Sequence, residues 1–389
     1  MAELGVPLLR LGFRPFFLGA AAFAVLAVAL WAASYLGWVA FAPRGGALAW
    51  HMHEMPFGFA CAVIAGFLLT AVQNWTESPG LRGAPLAALF GLWLAARIGW
   101  LWPGLPWPLL AALELAFLPA VAARLGWQLG RVGQRRNYPL VGLLGLLTAA
   151  DALALYAVQA NDFALLRHAT WAPLWLIGAV IALIGGRVIP LFTVNGLRLP
   201  AAAPEPAWGA HLAMGGLVLL AVLAAAGVGL APDLRLAPLL LALALLHGWR
   251  AVRWYRPGIW RVPLLWSLHV AYAWLVVALL GLAAWHAGVP IAGSAALHAF
   301  TVGTVGGLIL AMMARVSLGH TGRPLAPPRP MALAFAAVTL AAAARVALAG
   351  AAPRLAVALA AGAWCFGFGV FVIRYAPLLW RPRADGRPG

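Results

Sequence analysis

The stretch FFLGAAAFAVLAVALWAASYLGWV at 16–39 decides the fold. It runs for 24 residues without a charged side chain. As a helix rising about 1.5 Å per residue it covers about 36 Å, enough to cross the roughly 30 Å hydrocarbon core of a bilayer. Its apolar residues are continuous rather than alternating, so it reads as a helix and not as a barrel strand. Comparable runs follow along the whole chain, at 51–72, 84–102, 107–130, 138–159, 164–185, 207–230, 235–255, 262–285, 294–316, 330–350 and 354–376. The expected fold is therefore all-α, a single polytopic bundle of about twelve transmembrane helices over 1–389. Lipid offers backbone groups no hydrogen-bond partners, which leaves helices as the only spans for such runs.

Composition agrees. Of 389 residues, 65% are hydrophobic and only 9% charged. The formal net charge of +17 would suit a nucleic-acid binder, but every cation is an Arg, most lie between apolar runs, and no soluble face exists to carry a basic patch. No nucleic-acid partner is expected; the bilayer is. Cys61 and Cys365 both fall inside apolar runs, which excludes a disulfide framework or a cysteine zinc site. The start MAELGVPLLRLGFRPFF shows no small-residue cleavage site before the first long run, so no cleaved leader is expected. The connections are short and rich in Gly and Pro, and no internal repeat stands out.

Arginine fixes the orientation. Connections on one side carry twenty Arg; those on the other carry five, Arg44, Arg167, Arg235, Arg345 and Arg354, with Arg97 inside the third run. The positive-inside rule then places both termini in the cytoplasm. Orientation turns sequence position into depth. His53, His168 and His298 lie within about four residues, or roughly 6 Å, of the outer face. Glu54, Arg97 and Glu114 share that outer third, and Asp151 sits slightly deeper. His247 and His269 form a second level, each about 20 Å from the outside. His320 sits at the cytoplasmic edge, some 33 Å of helix from His298.

Polar groups at such depths are function candidates. In WHMHEMPFGF at 50–59, His51 and His53 point to different sides of a helix, whereas His51 and Glu54 share one. Either one His binds a metal while Glu54 orients a partner or moves protons, or the cluster only caps the span. In HAFTVGTVGG at 298–307, Gly303, Gly306 and Gly307 either let helices approach or leave room for a flat ring beside His298. In GGRVIPLFT at 185–193, Pro190 is expected to stop the helix; Arg187 either pairs with an anionic group or anchors the span. Glu114 and Asp151 either relay protons from the outer phase or satisfy Arg97 and Trp indoles. His211 and His286 are expected to be solvated, and Trp residues near span ends, Trp50 and Trp100 among them, to form an interfacial belt.

These motifs, together with RLGFRPFFL at 10–18, AGFLLTAVQNWT at 65–76, LLWSLHVAYAWL at 264–275 and ARVSLGHTGR at 314–323, resemble the NnrS family of bacterial inner-membrane proteins over essentially the whole chain. One departure is Glu77, which stands where the family pattern has Gly. The resemblance implies b-type haem and copper as cofactors, nitric oxide or a related small gas as the molecule handled, and a role in denitrification or protection against nitrosative stress. It leaves open turnover by a haem-dependent nitric oxide oxidoreductase with an unidentified electron donor. It also implies a distant likeness to the haem–copper oxidase bundle, but the chain lacks the close His pair those enzymes carry on a late helix, so their ligands are not transferred. On this reading His51 or His53 joins His298 in holding haem near the outer face. Arg97 and Arg187 serve as cofactor-binding cations. His247 and His269, with His168 or His320, hold a second metal or haem. Glu54, Glu114 and Asp151 are the catalytic carboxylates. The rival class is a transporter or metal- or haem-delivery protein with a His/Glu-lined path; a third is a sensor or assembly factor.

Overall fold

The computed structural model describes residues 5–200 and 205–387. Among these are twelve helices long and apolar enough to span a membrane. They are α1 Phe13–Leu36, α2 Ala47–Thr76, α3 Ala84–Leu101, α4 Trp107–Arg131, α5 Arg135–Gln159, α6 Phe163–Leu197, α7 Ala207–Ala225, α8 Leu234–Trp254, α9 Pro263–His286, α10 Gly293–His320, α11 Pro330–Ala347 and α12 Pro353–Trp380. The protein is an all-α, multi-pass membrane bundle, as the hydropathy pattern requires. Only α6 departs from its expected span by more than five residues, running to Leu197 rather than 185.

That departure corrects the reading of Pro190, which does not stop the helix. A proline ring inside a helix crowds the carbonyl four residues earlier. Here that residue is Gly186, whose lack of a side chain lets the turn give. The Thr193 hydroxyl adds a bond to the Ile189 carbonyl at 2.8 Å in the following turn. Arg187 thus lies within α6 and not beyond its end.

The chain divides into two compact units. The first comprises Met1–Pro173, Met313–Leu325 and Phe371–Gly389. Within it α1 packs on α2 through glycine: a Cβ at Gly66 would come 2.8 Å from that of Phe16. Aromatic edges fill the space between α1 and α3, with Phe16–Trp93 and Phe23–Trp93 ring centres 6.4 and 6.1 Å apart. An apolar cluster of Ala27, Trp50, Trp100, Leu110 and Leu155 is covered by Phe23, Trp31, Phe41 and Met55. Trp50 and Trp100 are therefore core residues, not members of an interfacial belt. Arg14, wholly buried, donates to the carbonyls of Leu379 and Arg381 at 2.8 Å each. It caps the end of α12, where carbonyls have no partner within the helix. Beyond α12, Arg383 binds Asp385 and draws its carboxyl down to about 2.

The second unit comprises Leu174–Met312 and Ala326–Val370. Here the glycines of α10 receive neighbouring side chains. A Cβ on Gly303 would stand 2.4 Å from Trp274, one on Gly306 2.3 Å from Trp364, and one on Gly307 2.8 Å from the Ala271 Cβ. Of the two uses foreseen for this glycine face, close packing is the one realised. Trp175 stacks on Phe300 at 5.1 Å.

Candidate functional site

Two helices differ from the rest in enclosure and in winding. In α2 and α10, 78% and 72% of the most apolar window is buried, against 28–56% elsewhere. Both also contain a wide π-helical stretch, Glu54–Ala60 in α2 and Ala299–Gly306 in α10. Such stretches are rare and concentrate at functional sites. In α2 the cause is visible in EMPFG: Pro56 supplies no N–H and its ring disfavours a tight turn. In both helices the π turn follows directly on a histidine, His53 or His298.

The first unit gathers five predicted polar residues from four helices into one buried cluster. His53 and Glu54 come from α2, Arg97 from α3, Glu114 from α4 and Asp151 from α5. None is more than 4% exposed. His53 Nδ1 lies 3.0 Å from Glu54 Oε1, and its Nε2 lies 2.8 Å from Asp151 Oδ1. Arg97 donates Nη1 to Glu54 Oε1 at 3.0 Å and Nη2 to Glu114. The Trp100 indole donates to the other Glu114 oxygen at 2.5 Å. Ligating atoms of His53, Glu114 and Asp151 all lie within 4.8 Å of one another. Glu114 satisfies Arg97 and an indole, one of the arrangements expected of it, whereas Asp151 pairs with His53. Arg97 is committed to carboxylates.

Local chain geometry explains the assembly. The Glu54 amide still bonds back to the carbonyls of Trp50 and His51, so helical spacing to His51 is kept, but its side chain turns to His53 and Arg97 instead. His51 stacks on Trp31 at 4.2 Å, away from the cluster. Gly58 makes room for the guanidinium, since a Cβ there would stand 2.2 Å from Arg97 Nη1. Trp93 closes the floor by donating to the Gly58 carbonyl at 2.8 Å.

The second unit holds another network, most of which the sequence did not announce. His247 Nδ1 contacts the Tyr272 hydroxyl at 2.7 Å, and Arg250 Nη1 donates to that hydroxyl at 2.9 Å. Arg250 also donates to Glu205 at 2.6 and 3.1 Å and to the Ala182 carbonyl at 3.0 Å. Gly186 admits this guanidinium as Gly58 admits the other; its Cβ would lie 2.1 Å from Nη2. His247 Nε2 is buried without a hydrogen-bond partner, although the Ala213 backbone approaches it. Arg250 follows His247 by three residues, a spacing that places both on one helix face and was the available signal.

The remaining histidines separate. His269 Nε2 donates to the Thr193 hydroxyl at 2.9 Å, because the Thr193 proton is already given to Ile189. His269 and His247 thus have different partners, and among the described residues neither belongs to a group of three ligating side chains. His168 is partly exposed on α6 and likewise stands outside such a group. His298 Nδ1 donates to the Ser294 carbonyl at 2.6 Å. His320 packs against Phe13 at 5.7 Å. His211 is exposed, as expected, but His286 is not solvated: it is 5% exposed and its Nδ1 accepts from the Asp233 amide at 3.0 Å. It holds the turn that precedes α8.

Against known proteins, a search of curated sequences returns no match. A family model described as NnrS protein matches residues 7–383, nearly the entire chain and both polar networks with it. The chain belongs to the NnrS family.

Proposed function

We propose that the protein holds haem in the bacterial inner membrane, with both termini cytoplasmic, and acts there on nitric oxide within nitrogen-oxide metabolism. The observation that carries this reading is the state of His298 in a chain that the NnrS family model matches over residues 7–383. Its Nδ1 proton is committed to the Ser294 carbonyl. The neutral ring then presents its lone pair at Nε2, the form in which imidazole serves as an axial ligand. The ring is half-buried, and Arg345 lies within electrostatic reach to balance a carboxylate of the ligand. His298 and Arg345 offer a ligand nitrogen and a balancing cation for haem, which when bound would supply an iron able to coordinate nitric oxide and, given electrons from a donor, to reduce it. The chain itself fixes the tautomer and holds the ring at the start of a π turn, in which Phe300 stacks on Trp175. A small uncharged gas reaches such a site through lipid, so the scarcity of charged residues is no obstacle.

Copper fits the described clusters less well. Soft cuprous ion favours thiolate and thioether donors, whereas the ligating group of the first unit is one imidazole and two carboxylates. Cys61 stands outside that group.

The test is an absorption spectrum of the purified protein. A Soret band in the wild type, lost in His298→Ala and kept in His269→Ala, supports the reading. A monodisperse wild type without haem, or a band unchanged by His298→Ala, overturns it.

A further inference from the structure

The cluster of the first unit is short of positive charge. Glu54, Glu114 and Asp151 contribute three carboxylates, and Arg97 is the only guanidinium among them. Both His53 ring nitrogens face carboxylate oxygens, so with the carboxylates ionised the ring donates from both as an imidazolium, and the cluster carries a charge of −1 in a location nowhere more than 4% exposed. Burying uncompensated charge costs several kcal/mol per ion. One divalent cation that replaces the proton on a His53 ring nitrogen brings the total to zero with every carboxylate ionised.

A second observation points the same way. Glu54 is wholly buried, and while its Oε1 serves both His53 and Arg97, its Oε2 has no partner. A buried carboxylate oxygen left without a donor is rare and calls for an ion or another group to complete it. Ligating atoms of His53, Glu114 and Asp151 already lie within 4.8 Å of one another. Ligands about 2.1 Å from a shared ion stand about 3.4 Å apart in a tetrahedral shell, so side-chain shifts of up to about 1 Å bring the three onto one ion.

We propose that His53, Glu114 and Asp151, with Glu54 alongside, form a binding site for one hard or borderline divalent cation such as Mn(II), Fe(II) or Zn(II). One imidazole with an excess of carboxylate oxygens is the donor set such ions favour. Arg97 then acts as a positioning residue: it holds Glu54 and Glu114 in place through one oxygen of each. The site does not depend on His298 or on haem.

The experiment uses the full-length detergent-solubilised protein and Mn(II) alone as probe. The expected result is one Mn(II) per chain retained through desalting, with loss of the free-ion electron paramagnetic resonance signal. Pulsed measurements should show coupling to a single imidazole nitrogen, a readout that needs no variant. Asp151→Asn and Glu114→Gln should each weaken binding by more than about 100-fold, while Glu205→Gln, in the other unit, should leave it unchanged. A monodisperse wild type that retains no Mn(II) overturns the proposal and assigns the missing charge to bound protons. Retained Mn(II) without nitrogen coupling, or with unchanged affinity in Asp151→Asn and Glu114→Gln, overturns it as well. The Soret band is read on the same samples, so failure of the haem reading and failure of the cation site are separately visible.

Discussion

Gly58→Ala tests whether the buried cluster is held together as described. The new Cβ would arrive 2.2 Å from Arg97 Nη1 and 3.0 Å from both Glu54 Oε2 and the Phe23 ring. An ordinary contact needs about 3.5 Å, so the guanidinium must withdraw by about 1.3 Å. An arginine tip normally yields at little cost. This one is pinned on two sides, by Glu54 at 3.0 Å and by Glu114. Withdrawal stretches the Glu54 bond past hydrogen-bond length and leaves a wholly buried carboxylate with His53 as its sole partner. Disrupting a buried ion pair costs about 3–5 kcal/mol, and replacing Gly by Ala within a helix returns up to about 1 kcal/mol. The net expectation is a loss of about 2–4 kcal/mol. Detergent-titrated unfolding followed by tryptophan fluorescence reads it, with Gly91→Ala as control, since a Cβ at Gly91 meets nothing within 4 Å. A double-mutant cycle with Arg97→Met isolates the cause. A Gly58→Ala protein within about 0.5 kcal/mol of wild type, or a cost that persists undiminished in the Arg97→Met background, refutes the argument.

Three further outcomes follow from the same structure. Arg250→Met should destabilise by about 3–5 kcal/mol by stranding Glu205 and the Ala182 carbonyl, and Tyr272→Phe by a smaller 1–3 kcal/mol, roughly, in the same unfolding assay. Gly303→Ala places a Cβ 2.4 Å from the Trp274 ring and should cost about 1–3 kcal/mol, whereas Gly362→Ala, in open space, should be neutral or better. Asp385, drawn to about 2 by Arg383, should titrate there in a carboxyl-carbon NMR experiment. Because its folded value is depressed, its clasp on Arg383 is fully present above the ordinary value of 3.8 and is lost as pH falls through about 2; a midpoint at 3.8 would show the clasp absent in solution.

Hydropathy made the twelve spans legible because lipid imposes one length and one composition on every crossing. It said nothing of where a helix continues past the apolar stretch, hence the underestimate of α6. Depth, counted from the arginine asymmetry, set His53, Glu54, Arg97, Glu114 and Asp151 in the outer part of their spans, and the structure joins all five. Which helices are neighbours was not legible, since residue spacing describes one helix at a time. Hence His51 was a candidate equal to His53, although helical spacing turns the two to different sides and only the neighbouring helices decide which side holds the cluster. Trp50 and Trp100 were misplaced for a related reason: proximity to a span end suits the interfacial belt and a capped core alike. Arg250 was counted as one of many topology-setting arginines, because only a partner such as Tyr272, contributed by another helix, distinguishes it.

The two networks share a construction and differ in one respect that separates their roles. Each sets a guanidinium against a glycine of a distinctive motif, Gly58 for Arg97 and Gly186 for Arg250, and each ties that guanidinium to carboxylate and, through one further residue, to a buried imidazole. In the second unit the count closes: one Arg250, one Glu205 and a neutral His247 sum to zero, and Glu205, 11% exposed at its side chain, keeps contact with water. That network is complete without a ligand charge, and its free Nε2 on His247 is a neutral group. In the first unit one guanidinium and one doubly donating imidazole face three carboxylates with no such contact, and the remaining deficit falls on groups already arranged around His53. A buried ion network is poor evidence for stability, because apolar packing of equal volume serves as well or better. A network that is also unbalanced is poorer still as a structural device. Its presence in the most enclosed membrane-spanning helix among the described residues is accounted for when a cation, and not the fold, is what the carboxylates serve.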